Sequence, residues 1–173
     1  MKRSSEGRGQ ENRIMSIFRR KPDIVIGGTP DAPYLLRWYI IPRNRWCNVY
    51  LHKFLRSDDP RALHDHPWAW FSLIFHGAYL EYTPATGGFA RRLCRAWRPR
   101  WGLPSALHRV ELLPDHTGRS EKPVWTLFLT GPRVREWGFQ CGDRWVDWRT
   151  FLGARPGAST SAGLNRVRSR GCE

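Results

Sequence analysis

The sequence has no cysteine pair at metal-binding spacing, and this absence excludes several small-domain classes. Its four cysteines, Cys47, Cys94, Cys141 and Cys172, form neither a CxxC nor a CxxH pair. In a chain of 173 residues this argues against a zinc ribbon and against a disulfide-stabilised scaffold. We interpret the cysteines mainly as small buried apolar residues, with Cys172 a free thiol on a tail.

Long apolar runs are also missing. No stretch approaches the ~20 apolar residues that a membrane-spanning helix requires, and the longest candidates, such as residues 71–75, have the length of a strand. The basic N-terminus is not followed by the apolar run of a secretory signal. These absences predict a cytoplasmic protein with no membrane partner.

The positive charge is concentrated at the two ends of the chain. Of the formal net charge of +14, residues 1–21 carry +5 and residues 152–173 carry +3. Both ends are polar and aperiodic, which predicts disordered basic tails over 1–21 and 153–173 around one domain over 22–152. Such tails attract polyanions without reading their sequence, so non-specific nucleic-acid contact through the tails is an expectation.

Between the tails the sequence is strand-like almost throughout, and it contains no amphipathic helix of ten or more residues. Short runs rich in β-branched and aromatic residues alternate with turn signals. The predicted strands are 35–41, 47–55, 70–75, 78–83, 91–97, 107–113 and 124–130. Many short strands at near-regular spacing predict an all-β sandwich or barrel.

Histidines supply the candidate site. Residues i and i+2 of a strand point to the same face, so His64 and His66 project together while Asp65 points the other way. Two imidazoles at this spacing can share one metal ion, and a third can come from another strand of the same barrel. His108 alternates with two apolar residues and is the candidate for that third ligand.

These segments resemble the two motifs of the cupin superfamily. The run 64–67 (HDHP), followed by Gly77 eleven residues after His66, resembles the first motif, and residues 104–108 resemble a shortened second motif. The resemblance covers about residues 45–130 and extends to cupin-like proteins of bacteria and phages. It implies a double-stranded β-helix, or jelly-roll barrel, with His64, His66 and His108 as metal ligands.

The chain departs from the cupin pattern at ligand positions. The family's first motif carries a glutamate ligand three or four residues after the histidine pair, where this chain has Trp70 and Phe71. The second motif lacks its glycine, replaced by Ala106, and its asparagine, replaced by Leu112. A three-histidine site, as in the thiol dioxygenases of the superfamily, is therefore closer than the four-ligand version.

Three neutral imidazoles leave a divalent ion with its full charge and open positions, which favours anionic ligands and suits Lewis-acid or oxygen chemistry. Imidazoles alone do not choose among Fe, Zn, Ni, Mn and Cu. Glu81, His52 and His76 are candidate fourth ligands or acid–base groups, and we assign general acid–base work to Glu81 or to a metal-bound water. Trp70, with His52, is expected to line the substrate pocket.

Charged clusters elsewhere are interpreted more simply. We predict that Asp58 and Asp59 form a turn near the barrel mouth. The arginines between residues 91 and 100 could face nucleic acid or an anionic substrate, although a solvated face is the simpler interpretation.

The sequence thus predicts a metal-binding cupin, leaning towards an enzyme that acts on a small anionic molecule. Pairing through edge strands predicts a homodimer. The alternative is a non-enzymatic cupin-fold binding or assembly protein, of the kind a phage could encode, with basic tails that contact nucleic acid or a partner. A third idea, a metal-free sugar-nucleotide isomerase, needs a histidine–carboxylate base pair that the sequence does not identify.

Overall fold

A computed structural model describes residues 20–29, 32–153 and 171–172. These residues form twelve β-strands and one short α-helix, so the all-β prediction is confirmed. The strands are β1 (Ile24–Thr29), β2 (Ala32–Tyr39), β3 (Asn48–Phe54), β4 (Leu63–His64), β5 (Trp70–His76), β6 (Ala78–Ala85), β7 (Gly88–Arg95), β8 (Pro99–Gly102), β9 (Arg109–Leu112), β10 (Val124–Thr130), β11 (Gly138–Cys141) and β12 (Arg144–Asp147), and α1 is Trp148–Leu152.

The strands are arranged in two facing layers with antiparallel pairing throughout. One layer is a six-stranded sheet in the order β1-β2-β3-β10-β5-β8. The other consists of two three-stranded sheets, β12-β11-β4 and β7-β6-β9. An isolated antiparallel bridge between His64 and His108 joins these two sheets into one continuous layer. The jelly-roll prediction is therefore confirmed, and two of the candidate ligands form the joint between two halves of a sheet.

Strict alternation on the central strands creates the interior. Along β10 every second residue is buried, and the same holds for the start of β5. At one end of the barrel the two layers enclose an apolar cluster of Ile74, Tyr79, Cys94, Val110, Leu112 and Val124. Burial of such side chains is the main source of stability for a fold of this kind.

The predicted strands appear close to their expected bounds, with 124–130 matching in full. The short strands β1, β4, β8, β11 and β12 were not predicted because two to six residues leave little room for alternation. Gly77, with φ +87°, makes the predicted turn between β5 and β6, and a Cβ there would meet the carbonyl of Pro123 at 3.0 Å.

The interpretation of the cysteines is partly wrong. Cys94 is buried as expected, but Cys47 is exposed, and Cys172 forms a disulfide with Cys141 across 31 residues of sequence. The backbone N–H of Gly171 also donates to the carbonyl of Phe151 at 3.1 Å. Residues 171–172 are thus attached to the domain, whereas the other parts of the predicted tails, 1–19, 154–170 and 173, lie outside the described residues.

A second apolar cluster lies beside the end of β4. It consists of Ala62, Phe139, Val146, Trp148 and Phe151. Asp147 is the N-cap of helix α1, and its side chain accepts a hydrogen bond from the N–H of Arg149 at 2.8 Å. Within the part of the chain that is described, no helix has the length and apolar character needed to cross a membrane.

Candidate metal centre

The structure brings the three predicted histidines together inside the barrel. One nitrogen of each of His64, His66 and His108 lies within 4.8 Å of the other two. His64 and His66 share a face, as their spacing requires, and their ring centroids are 5.2 Å apart. His108 is 8% exposed, so it points into the interior as its alternation with apolar residues predicts.

Backbone pairing fixes where the third histidine lies. His64 and His108 exchange two backbone hydrogen bonds, of 2.8 and 2.9 Å, across the bridge that joins the two halves of the layer. The N–H of His66 donates to the carbonyl of Pro104 at 3.1 Å, which attaches the segment after β4 to the loop that precedes His108. As a result the Nε2 atoms of His66 and His108 come within 2.9 Å of each other.

Glu81 orients His108 from behind. Its Oε1 lies 3.1 Å from Nδ1 of His108, which leaves Nε2 of that ring facing His66. Its other oxygen accepts hydrogen bonds from the guanidinium of Arg100 and, at 3.7 Å, from the thiol of Cys94. A carboxylate that fixes the outer nitrogen of a metal-binding histidine is a recurrent feature of metal sites.

Glu81 is 1% exposed, and its carboxylate is ionised. Burial acts to raise its pKa, but the hydrogen bond and charge of His108, together with the charge of Arg100, outweigh burial and lower it. Because both oxygens are engaged, the geometry favours a positioning role for Glu81 over the general acid–base role expected from sequence.

Asp58 stands behind His64 in a similar way. Its Oδ2 lies 3.7 Å from Nδ1 of His64 and accepts the backbone N–H of Val110 at 2.6 Å, while its Oδ1 accepts the hydroxyl of Tyr34. Two of the three imidazoles therefore have a carboxylate on their outer side.

Burial keeps two of the three histidines neutral. It lowers the pKa of His64 to about 4, although the nearby charge of Asp58 acts in the opposite direction. It also holds the pKa of His66 well below its usual value, and His108 and His64 add to that lowering. Neutral imidazole is the form that binds a metal ion.

Aromatic rings close the site on one side. Trp70 stacks on His108 with ring centroids 5.0 Å apart and is 6% exposed. The ring of Trp68 stacks on His66 at 6.3 Å, and Phe128 lies 6.1 Å from His66. Trp70 also occupies the space next to Gly102, where an added Cβ would meet its indole at 2.6 Å. Trp70 therefore lies against the three-histidine cluster, and its role as a lining residue of a substrate pocket stays a prediction.

His52 lies on β3, one aromatic ring away from the cluster. It is 2% exposed and stacks between Tyr50 and Phe128, with centroids 5.6 and 5.0 Å away. Its Nε2 accepts a hydrogen bond from Nε of Arg37 at 2.8 Å, and burial, together with the charge of Arg37, holds its pKa well below the usual value. His52 does not join the three-histidine cluster, and His76 is exposed at the end of β5.

Sequence reasoning missed three supporting charges. Asp58 was interpreted as part of a turn, and Arg100 was placed with arginines of a solvated face, which Arg91, Arg92 and Arg95 do occupy. Asp65 was recognised only as pointing away from the ligands. It is 2% exposed and accepts hydrogen bonds from the N–H of Gly138 at 2.8 Å, from the indole N–H of Trp145 at 3.0 Å and from the guanidinium of Arg135. No local pattern separates these buried charges from surface ones.

The residues present fit a divalent transition-metal ion. Three imidazole nitrogens in mutual reach form the donor set of a three-histidine centre, two rings have a carboxylate behind them, and apolar rings limit access of water. When bound, such an ion would act as a Lewis acid or bind oxygen at its open positions. These side chains would hold it, and imidazole donors do not select its identity.

Sequence comparison yields no family: no family model and no curated protein matches the chain. Solved structures do resemble it. A proposed mannose-6-phosphate isomerase from Ralstonia eutropha JMP134 is 17% identical over 64% of this chain and 92% of its own, with a TM-score of 0.46. The iron(II) form of HppE with its substrate is 14% identical over 65% of this chain and 57% of its own, at a TM-score of 0.47.

A cupin domain from Bordetella pertussis Tohama I is also similar, at 13% identity over 65% of this chain and 96% of its own, with a TM-score of 0.39. A protein described as a cupin domain is thus among the structures that this chain resembles. The likeness is one of fold, and no activity is carried across from these proteins.

Proposed function

We propose that this protein binds one divalent transition-metal ion through His64, His66 and His108 and acts with it on a small anionic molecule. The reaction would be of the oxygen-dependent or Lewis-acid class. Ions such as Fe, Zn, Ni or Mn all suit the donor set. The observation that carries the proposal is the convergence of three imidazole nitrogens within 4.8 Å of one another in the barrel interior.

The support behind the ligands strengthens this proposal over a purely structural explanation. A neutral histidine has one donor and one acceptor nitrogen, and here Nε2 of His66 and Nε2 of His108 face each other at 2.9 Å. That contact can hold only one proton, and a nitrogen of His64 lies within 4.8 Å of a nitrogen of each of these rings. A cation at the centre would satisfy all three nitrogens at once.

The preference for an anionic molecule follows from charge. Because the ligands are neutral imidazoles, the bound ion keeps its two positive charges, and none of the three ligand positions carries a carboxylate to offset them. An anion at an open position lowers the electrostatic cost of holding this charge in a site of low dielectric.

Metal analysis of the full chain, purified without an affinity tag, tests the proposal. We expect the wild type to hold one ion per chain and the variants His64→Ala and His108→Ala to lose it. His76→Ala is the matched control, since His76 is exposed on β5 and should leave the metal content unchanged. Trace metal that is insensitive to the two ligand substitutions would contradict the proposal and favour the non-enzymatic binding or assembly protein.

Oxygen uptake distinguishes the two reaction classes. The iron-loaded protein should consume oxygen with at least one of a set of thiols, diketones and keto acids, and His108→Ala should abolish that consumption. A metal-loaded protein that consumes none with any of these substrates would exclude this dioxygenase chemistry and leave the Lewis-acid class.

A further inference from the structure

Within the described part of the chain, Arg37 is an interior-facing charge near the centre that has no counter-ion. It lies on β2, half-buried, and its Nε donates to Nε2 of His52 at 2.8 Å. Its guanidinium lies over the ring of Tyr50, 4.5 Å from the centroid. Among the described residues no carboxylate lies within ion-pair distance of Arg37, which contacts the rings of His52 and Tyr50.

Two other arginines that reach buried carboxylates each have a counter-ion. Arg100 pairs with Glu81, and Arg135 pairs with Asp65, and both carboxylates are almost fully buried. Withdrawing a charge from water is unfavourable unless a partner compensates it, so buried cations are normally paired. For Arg37 the cost of burial is apparent as a lowered pKa.

The position of Arg37 relates it to the metal centre. Its Cα pairs with that of His52 across β2 and β3, and His52 pairs with Thr126 of β10, so the three residues form one inward row. The next row contains Tyr50 and Phe128, paired across the same strands. Phe128 contacts both His52 and His66, so one ring separates the Arg37–His52 pair from the nearest ligand.

The same row contains further unused polar atoms. Nδ1 of His52 and Oγ1 of Thr126 are buried and have no hydrogen-bond partner among the described residues. Buried polar groups are nearly always satisfied, so a cluster of unsatisfied ones around an unpaired cation indicates a place for a polar ligand or its waters.

We propose that Arg37 anchors an oxyanion of the ligand, a carboxylate or a phosphate, while another donor group of the same molecule reaches the three-histidine centre. This inference rests on the proposed function and specifies its substrate class. Because His52 occupies Nε, the two terminal nitrogens of the guanidinium remain for an end-on, two-bond contact. His52 is then a positioning residue that holds the plane of the guanidinium.

Binding of defined probes to the metal-loaded full chain tests this inference. The probes are the dicarboxylates oxalate, malonate, succinate and glutarate, and phosphonoacetate as the phosphorus analogue of malonate. Acetohydroxamate, a chelator that needs only the metal, is the internal reference. Calorimetric titration should show tightest binding at one chain length of the dicarboxylate, which reports the distance between Arg37 and the ion. The ratio of the affinities for malonate and phosphonoacetate then distinguishes a carboxylate site from a site for a phosphorus oxyanion.

Arg37→Met keeps the aliphatic packing on Tyr50 and removes the charge. We expect it to weaken the best dianion by about 10–100-fold, the amount that corresponds to a lost charge-assisted contact, with metal content and acetohydroxamate affinity unchanged. Arg37→Lys should give an intermediate affinity, since an ammonium keeps the charge but lacks the planar pair of N–H donors of the guanidinium. Arg45→Met is the matched control, because Arg45 lies over an exposed ring of Trp46 and should change nothing.

Three outcomes would overturn the inference: no dianion binds to the wild type, Arg37→Met binds dianions as well as the wild type does, or it weakens dianions and acetohydroxamate equally. Thermal denaturation with the same dianions on metal-free protein separates this from the proposed function. If the chain binds no metal but malonate or phosphonoacetate raises the unfolding temperature of the wild type and not of Arg37→Met, the anion site stands while the metal proposal fails.

Discussion

Two regions of the barrel interior differ in what the facing sheets bury. In one region the side chains are apolar and close-packed around Ile74 and Val124, both fully buried. Elsewhere the interior also buries polar groups, namely His52, Ser72, Glu81, His108, Thr126 and Thr130. Some of them border the apolar cluster directly, since Thr126 pairs with Ile74 and Glu81 pairs with Val110.

The comparison teaches how much support a polar interior needs. The apolar cluster requires only complementary shapes, since dispersion and the hydrophobic effect have no direction. Among the buried polar groups each charged group has a defined partner, such as Glu81 between His108 and Arg100. Arg37 is the exception that identifies a place for a ligand.

The largest loss of stability should follow a substitution in the apolar cluster around Ile74. Ile74→Ala removes a fully buried side chain and should lower the free energy of unfolding by about 2–5 kcal/mol through lost burial and a cavity. Urea denaturation measures this change. Metal stoichiometry should persist, because Ile74 belongs to the apolar cluster and is not one of the three ligands. Ile40→Ala, at an exposed position, is the control, and an equal loss in both variants would mean that the core assignment is wrong.

The next largest effect should come from the disulfide that attaches residues 171–172 to the domain. The double variant Cys141→Ser, Cys172→Ser opens a loop of 31 residues and should lower the unfolding free energy by about 2–4 kcal/mol. Reductant should destabilise the wild type by a similar amount and leave the variant unchanged. Equal stability of wild type and variant under oxidising conditions would show that the pairing contributes nothing.

A smaller effect is expected from the carboxylate behind His108. Glu81→Gln keeps the shape but removes the charge that orients the imidazole, so metal affinity should fall about 10–100-fold. Competition with a chromophoric chelator measures the affinity. Glu111→Gln on the neighbouring strand, half-exposed, is the matched control. If Glu81 instead exchanged protons with substrate, turnover would fall while metal affinity stayed the same.

The smallest expected effect, per unit of pH, is a change in the free energy of unfolding of the metal-free protein. His64 has a pKa of about 4 when folded and 6.5 in its ordinary state. Its contribution to stability is therefore complete above about pH 6.5 and is lost as the pH falls towards 4. Denaturation at a series of pH values between about 7 and 5 should show stability falling with pH, less steeply in His64→Gln. Stability that rises on acidification would contradict the assignment.

The sequence predicted the site better than its surroundings. The pair of His64 and His66 was recognisable because a two-residue period is local, and His108 because it alternates with buried residues on its own strand. Glu81 was named as a candidate, but its role could not be derived, since it depends on β6 lying beside β9 and on Arg100 reaching it from the opposite sheet. The disulfide was missed for the same reason, because Cys141 and Cys172 are distant in sequence and carry no spacing signal.

By itself the sequence determined the all-β architecture and the face that carries the ligands, because alternation and turn chemistry act within a few residues. Only the tertiary structure decided that His108 bridges to His64, that Asp58 and Glu81 stand behind the ligands, and that Arg37 faces neutral rings with no carboxylate of residues 20–29, 32–153 and 171–172 in reach. These features depend on the register between strands far apart in the chain, and register is selected by the packing of the whole interior.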